Sequence, residues 1–236
     1  MPFRIWLLIS RLIRLMTSIT GLLGIGRTRM VFSQSDKAIT LCTKDGSKIT
    51  LDKLCKSVTP PCNLSLLLFN GHLQTFWSVA KLKGLPVIYK RKIFEADDER
   101  YAGSFTVDFV VHEPSAIDDE LPERTTYYST SELEDLEKGS LDRKPMLVTL
   151  HGLSGGSHEL YLREVLGPMT AEKSWEACVV NSRGCAMSNI TTPVLFNARA
   201  TWDVRQLISW LQEKYPNRPL FSVGYSLGAN ILTNVI

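Results

Sequence analysis

From Lys144 onward, apolar and polar positions fall into alternating short and long runs. Met146–Leu150 (MLVTL) is short and almost unbroken in its apolar character, which suits a strand buried on both faces of a parallel sheet. The segment from about His158 to Lys173 then reads as a helix, and Ala177–Val180 as the next strand. A second helix is predicted from about Asn197 to Tyr215, with Trp202, Leu207, Trp210 and Leu211 near helical spacing and Pro216 as its stop. Leu220–Val223 is a third strand, and Ala229–Val235 is again helix-competent. Strands and helices in this alternation predict a parallel α/β sheet with right-handed crossovers.

The pattern differs upstream. Val87–Glu95 and Ser104–His112 predict paired strands, and Phe105, Val107, Phe109 and Val111 alternate as a one-sided strand should. Residues 38–51 predict a short hairpin turned by Lys44-Asp45-Gly46. Beyond Pro60-Pro61 lies an apolar stretch, Leu64–Phe69, and then Asn70–Thr75, a turn into an aromatic-rich helix start. Residues 113–144 are polar, with little to bury, and predict a solvated surface loop.

Composition narrows the class. In 236 residues, 44% hydrophobic and 22% charged describe an ordinary globular chain with a core, which excludes a wholly disordered or collagen-like protein. A net charge of +3 is too small for a nucleic-acid partner, whose binders gather a strong basic excess on one face. The charge is instead segregated: residues 1–35 carry five Arg and no acid, whereas 113–144 carry ten acids against four bases. Five cysteines (Cys42, Cys55, Cys62, Cys178, Cys185) without CxxC spacing indicate neither a disulfide framework nor a zinc site; reduced thiols in an intracellular protein are expected, and no metal or organic cofactor.

The basic leader has a pattern of its own. Its longest charge-free run, Leu15 to Gly26, is twelve residues, short of the roughly 18–20 that span a bilayer. On a helix, Arg4, Arg11 and Arg14 gather on one side with Ser10 and Ser18, and the rest is Ile, Leu, Trp and Met. Such a helix suits the membrane interface, its arginines snorkelling to head groups. Residues 3–26 are therefore expected to bind a lipid surface, placing the protein on an intracellular membrane such as the endoplasmic reticulum or a lipid droplet. The alternatives are a mitochondrial presequence and a helix that packs on the domain.

Candidate chemistry is concentrated near the C-terminus. Gly224-Tyr225-Ser226-Leu227-Gly228 is a G-x-S-x-G placed directly between a strand and a helix-competent segment. That context defines a nucleophile elbow, in which Gly224 and Gly228 relieve crowding so that the Ser226 hydroxyl projects from the top of the sheet. His151-Gly152-Leu153-Ser154-Gly155-Gly156 ends the first strand of the α/β unit, where the second backbone donor of such a site is expected. The oxyanion hole is accordingly assigned to the N–H groups of Leu153 and Leu227, with His151 and Gly152 supporting; a plain strand-to-helix turn is the other reading of these glycines. Arg183, at the end of the next strand, is either a structural ion-pair partner near the site or a surface residue. His72, His112 and His158 have no chemical partner in the sequence.

Five ordered motifs, NGHLQTFW (70–77), HGLSGGSHE (151–159), NSRGCAMSNITTP (181–193), FNARATWD (196–203) and GYSLGANILTN (224–234), resemble the membrane-associated branch of the α/β hydrolases. That branch holds fungal medium-chain fatty-acid ethyl ester synthase/esterases, monoacylglycerol lipases and related abhydrolase phospholipases, and the likeness covers about residues 60–236. The resemblance implies an α/β-hydrolase fold, a mostly parallel sheet with flanking helices. It further implies a serine hydrolase of lipophilic esters (medium-chain acyl or acylglycerol), with Ser226 as nucleophile and water or an alcohol as acyl acceptor. In this fold an acid and a histidine follow the nucleophile in the chain. Leu227–Ile236 contains neither, and neither His151 nor His158 is a credible base. Residues 36–236 are therefore expected to be the N-terminal part of the hydrolase domain, incomplete after the nucleophile strand, with Leu220–Val223 left as an exposed edge. Two rival functions remain, a non-catalytic membrane-bound fragment and a thioesterase or peptidase on the same scaffold.

Overall fold

The computed structural model describes residues 30–32, 38–60, 68, 70–80, 84–112 and 118–235. The basic amphipathic segment 3–26 and the apolar stretch at 64–67 lie outside the described residues. The chain divides into two compact units, Met1–Leu82 and Lys83–Ile236.

In the first unit, β1 (Thr40–Cys42) and β2 (Lys48–Thr50) pair antiparallel, Leu41 opposite Ile49. Gly46, at φ 82°, takes the left-handed turn position the Lys44-Asp45-Gly46 sequence predicts. Helix α1 (Leu51–Val58) follows at once. Helix α2 (Gly71–Ala80) is entered through Asn70, whose Oδ1 accepts the His72 N–H at 2.8 Å, and Gln74 reaches back to the Leu68 carbonyl at 2.8 Å. Leu73, Phe76 and Trp77 are exposed on it.

The second unit is built on six strands: β3 (Ile88–Glu95), β4 (Ser104–Val111), β5 (Thr125–Tyr127), β6 (Met146–Leu150), β7 (Glu176–Asn181) and β8 (Leu220–Gly224). Their order across the sheet is β5-β3-β4-β7-β6-β8. The β3/β4 and β4/β7 pairs are antiparallel, whereas β3/β5, β6/β7 and β6/β8 are parallel. The mostly parallel α/β sheet expected from the pattern is thus present, with an antiparallel β3–β4 excursion on one flank.

Helices cover both faces of this sheet. Along β6, Met146, Val148 and Leu150 join one apolar cluster with Phe105, Val107 and Phe109, closed by Val204, Leu207 and Leu211 of α5 (Trp202–Lys214) and Ile231 of α6 (Leu227–Thr233). Leu147 joins the opposite cluster with Tyr89, Val179 and Leu162 and Leu166 of α4 (Leu160–Thr170). All five residues of β6 are buried, which explains their almost unbroken apolar run.

Two expectations need correction. Strand β4 is not one-sided: Ser104, Thr106 and Asp108 are buried along with the apolar positions between them. Polar residues are tolerated there because the face is covered and its polar atoms find partners, described below. Residues 118–144, the described part of the acidic segment, are not simply a loop. Leu121 is buried, β5 adds an edge strand beside β3, and α3 (Thr130–Lys138) starts at a capping box in which Ser129 and Glu132 satisfy each other's backbone N–H groups. The acids meet bases elsewhere in the unit: Glu132 pairs with Lys90, Glu137 with Lys92 at 2.7 Å, and Asp142 with Arg218 at 2.6 Å. The acidic excess of the segment therefore matches a basic surface of the sheet and its neighbours, although α3 itself buries no residue completely.

Candidate active site

Strand β8 runs to Gly224, two residues turn, and α6 begins at Leu227. At the turn Ser226 holds φ 50° and ψ −116°, a conformation that side chains disfavour and that persists only when its surroundings impose it. The surroundings are tight. A Cβ on Gly224 would lie 2.5 Å from the Gly228 carbonyl oxygen, and one on Gly228 would lie 2.5 Å from the His151 oxygen and 2.7 Å from the Leu150 oxygen. Both glycines of the motif are thus required by backbone approach: one lets β8 meet α6, the other lets α6 meet the end of β6. The Tyr225 N–H donates to the Leu150 carbonyl at 3.1 Å, and the Ser226 carbonyl accepts from Ala229 at 3.0 Å, which locks the elbow between β6 and its own helix.

The loop leaving β6 lies against this elbow. A Cβ on Gly152 would sit 3.5 Å from Ser226 Cβ. Ser154, at φ 57°, turns the loop, and the Gly155 N–H donates to the Gly152 carbonyl at 3.1 Å. Among the described residues, neither the Leu153 N–H nor the Leu227 N–H has a hydrogen-bond acceptor. Two backbone donors without partners beside a serine are what an anionic tetrahedral oxygen requires.

His151 is buried beneath the loop and fully engaged. Its Nε2 accepts the Ser182 N–H at 3.0 Å, which places the ring proton on Nδ1, 2.5 Å from the Gly152 carbonyl. Burial pulls its pKa below the usual histidine value, so the ring is held neutral. With both nitrogens taken, it has no lone pair for the Ser226 proton; it ties the loop after β6 to the loop after β7. No side chain among the described residues hydrogen-bonds Ser226 Oγ, and His158 lies exposed beside Glu159 at 3.9 Å.

Arg183 is buried and forks onto Asp203, with Nε to Oδ2 at 2.9 Å and Nη2 to Oδ1 at 2.6 Å. Its Nη1 donates to the Ala102 carbonyl at 3.0 Å. Burial pushes the Asp203 carboxyl upward and the guanidinium pulls it back. Arg183 is therefore a scaffold residue joining the β7 loop, the start of α5 and the β3–β4 turn.

Two contributions to the site were not anticipated from the sequence. The first is a buried polar network centred on Asp108 of β4. Its carboxylate accepts from Arg91 Nε (2.6 Å), Arg91 Nη2 (2.8 Å), Ser157 Oγ (2.5 Å) and Asn181 Nδ2 (2.8 Å). Asn181 returns the contact by accepting the Ser157 N–H at 3.0 Å, and Arg91 Nη1 donates to the Ala186 carbonyl at 2.8 Å. Ser157 ends the glycine-rich loop, so the network anchors that loop to β3, β4 and β7. The second is Tyr161, in the first turn of α4. Its hydroxyl accepts the Gly152 N–H at 2.9 Å, and its ring packs on Tyr225 with centroids 4.9 Å apart. A tyrosine five residues beyond the last glycine of the loop was the only sequence signal for it. The Asp108 network had none, because its members are spread over residues 91 to 186.

Sheet order, elbow and glycine-rich loop together form an α/β-hydrolase fold, with Ser226 at the sharp turn between β8 and α6. Residues 145–235 match the model of the alpha/beta hydrolase fold family. The chain is similar to the monoacylglycerol lipase of Saccharomyces cerevisiae, 36% identical over 231 residues that cover 88% of this chain and 49% of that protein. It is also similar to the medium-chain fatty acid ethyl ester synthase/esterase 2 of the same yeast, 34% identical over 73% of this chain and 43% of that protein. Human monoacylglycerol lipase ABHD2 is 31% identical over 36% of this chain and 20% of its own length. The chain spans about half the length of the first two relatives.

Proposed function

We propose that the protein is a serine hydrolase of lipophilic carboxylic esters, acylglycerols or medium-chain acyl esters, with Ser226 as its nucleophile. The observation that carries this reading is the strained Ser226 set between the loop after β6 and the start of α6, where the Leu153 and Leu227 N–H groups have no acceptor among the described residues. Ser226 Oγ attacks the ester carbonyl carbon, and the carbonyl oxygen becomes an oxyanion held by those N–H groups. Collapse expels the alcohol and leaves an acyl-serine ester; attack by water or a second alcohol then releases the acid or a new ester. The proton acceptor is neither His151 nor His158, and among the described residues none contacts Ser226. The two yeast relatives, one named for a lipase activity and the other for ester synthesis and hydrolysis, support the substrate class. Membrane association through residues 3–26 of an intracellular membrane protein completes the proposal, since it would bring Ser226 to substrates that partition into lipid.

A fluorophosphonate probe on the full chain tests the reading, because such probes phosphonylate only activated serines. Labelling is expected, and Ser226→Ala should abolish it. An unlabelled chain would instead favour the non-catalytic alternative.

A further inference from the structure

Tyr161 stands closer to the reaction centre than a scaffold residue needs to. A Cβ built on Gly152 would lie 3.5 Å from Tyr161 Oη and equally 3.5 Å from Ser226 Cβ, so hydroxyl and nucleophile flank the same side of one glycine. The hydroxyl oxygen is already used as an acceptor, taking the Gly152 N–H at 2.9 Å. Its own hydrogen has no acceptor among the described residues. The ring is held in place between α4 and the elbow by its packing on Tyr225. A hydroxyl that accepts a backbone N–H is polarised into a better donor. Burial pushes the Tyr161 hydroxyl above its usual pKa, so the hydrogen stays on at neutral pH.

We propose that Tyr161 is a third donor of the oxyanion hole, its O–H pointing at the oxygen that becomes negative when Ser226 attacks an acyl or phosphonyl centre. The inference rests on Ser226 being the nucleophile. The fork it adds is chemically distinct from the two backbone donors: a phenol can be tuned in acidity, whereas an amide cannot.

The test is the rate of Ser226 phosphonylation by a fluorophosphonate on the full chain, whose phosphonyl oxygen occupies the oxyanion position. Tyr161→Phe is expected to slow it by about 10²-fold, the loss typical of one oxyanion donor. Because that variant also orphans the Gly152 N–H, two unnatural residues at 161 separate the roles. O-methyltyrosine keeps an accepting oxygen without a hydrogen and should be as slow as phenylalanine. 3-Fluorotyrosine, a more acidic donor and a weaker acceptor, should label faster than the unsubstituted chain. Recovery of the full rate with O-methyltyrosine, or a rate within twofold of the original in Tyr161→Phe, would overturn the donor role and leave Ser226 in place. An unsubstituted chain that does not label overturns both readings. Protection of the Gly152 amide from hydrogen exchange, kept with O-methyltyrosine, shows that this variant has folded with the loop as intended, and retained protection of the Tyr225 amide, bonded to the Leu150 carbonyl, shows that the phenylalanine variant keeps the elbow.

Discussion

Asp108→Ala is expected to cost about 3–5 kcal/mol of stability, measured as a shift in the chemical-denaturation midpoint, because it leaves the Arg91 guanidinium buried without its counter-charge. The pair is inaccessible on both sides, and the carboxylate takes four donors, so water cannot replace what is removed. A cost below about 1 kcal/mol would show that the interior relaxes around the charge. Replacing both members, Arg91→Met with Asp108→Leu, should recover much of the loss, since apolar isosteres of buried ion pairs are often neutral or better. It should not recover probe labelling. Ser157 Oγ and Asn181 Nδ2 would still lack their acceptor, and Ser157 is where the glycine-rich loop is tied to the sheet. Stability and reactivity would then part company.

Ser226→Gly is expected to abolish labelling and yet be more stable than Ser226→Ala, by about 1 kcal/mol. The backbone at 226, φ 50° and ψ −116°, is natural to glycine and costs other residues about 1–3 kcal/mol. Glycine's larger conformational freedom in the unfolded chain takes back part of that gain. Thermal or denaturant unfolding of the two variants measures the difference directly. If the alanine variant proved the more stable, the elbow would not be storing strain.

Much of the second unit was legible because its signals are local. Met146–Leu150 is four apolar residues interrupted only by Thr149, and it is a strand over those five residues. The elbow was legible because G-x-S-x-G sits between a strand and a helix, each recognisable alone. The residues that hold the site together were not, and the reason is physical. Asp108 read as the polar partner in an alternating strand, and nothing in its neighbourhood announces that Arg91, Ser157 and Asn181 converge on it. A pairing between distant residues leaves no periodicity. The misreading of 113–144 differs, because a local signal was there: Ser129 and Glu132 stand in capping-box spacing ahead of Leu133 and Leu136. The weight of charge hid it, since ten acids read as a solvated run until their partners on Lys90, Lys92 and Arg218 are known. Tyr161 lies between the two cases, three residues into the predicted helix but with a role set by where Gly152 comes to rest.

The pairing of β8 has a consequence in time. Among the described residues that strand joins the sheet only through β6, Met146 opposite Leu220, with the whole of α4, β7 and α5 between them in the chain. Closing so long a segment must precede any contact that rewards it, and parallel pairing of this kind is slow. The antiparallel β3–β4 pair, by contrast, closes over a short turn at Glu99–Tyr101. On dilution from denaturant, the amides of β3 and β4, paired Lys92 opposite Val107, should gain protection from hydrogen exchange before Ser226 becomes reactive to a probe. The molecule would look folded before it could do chemistry.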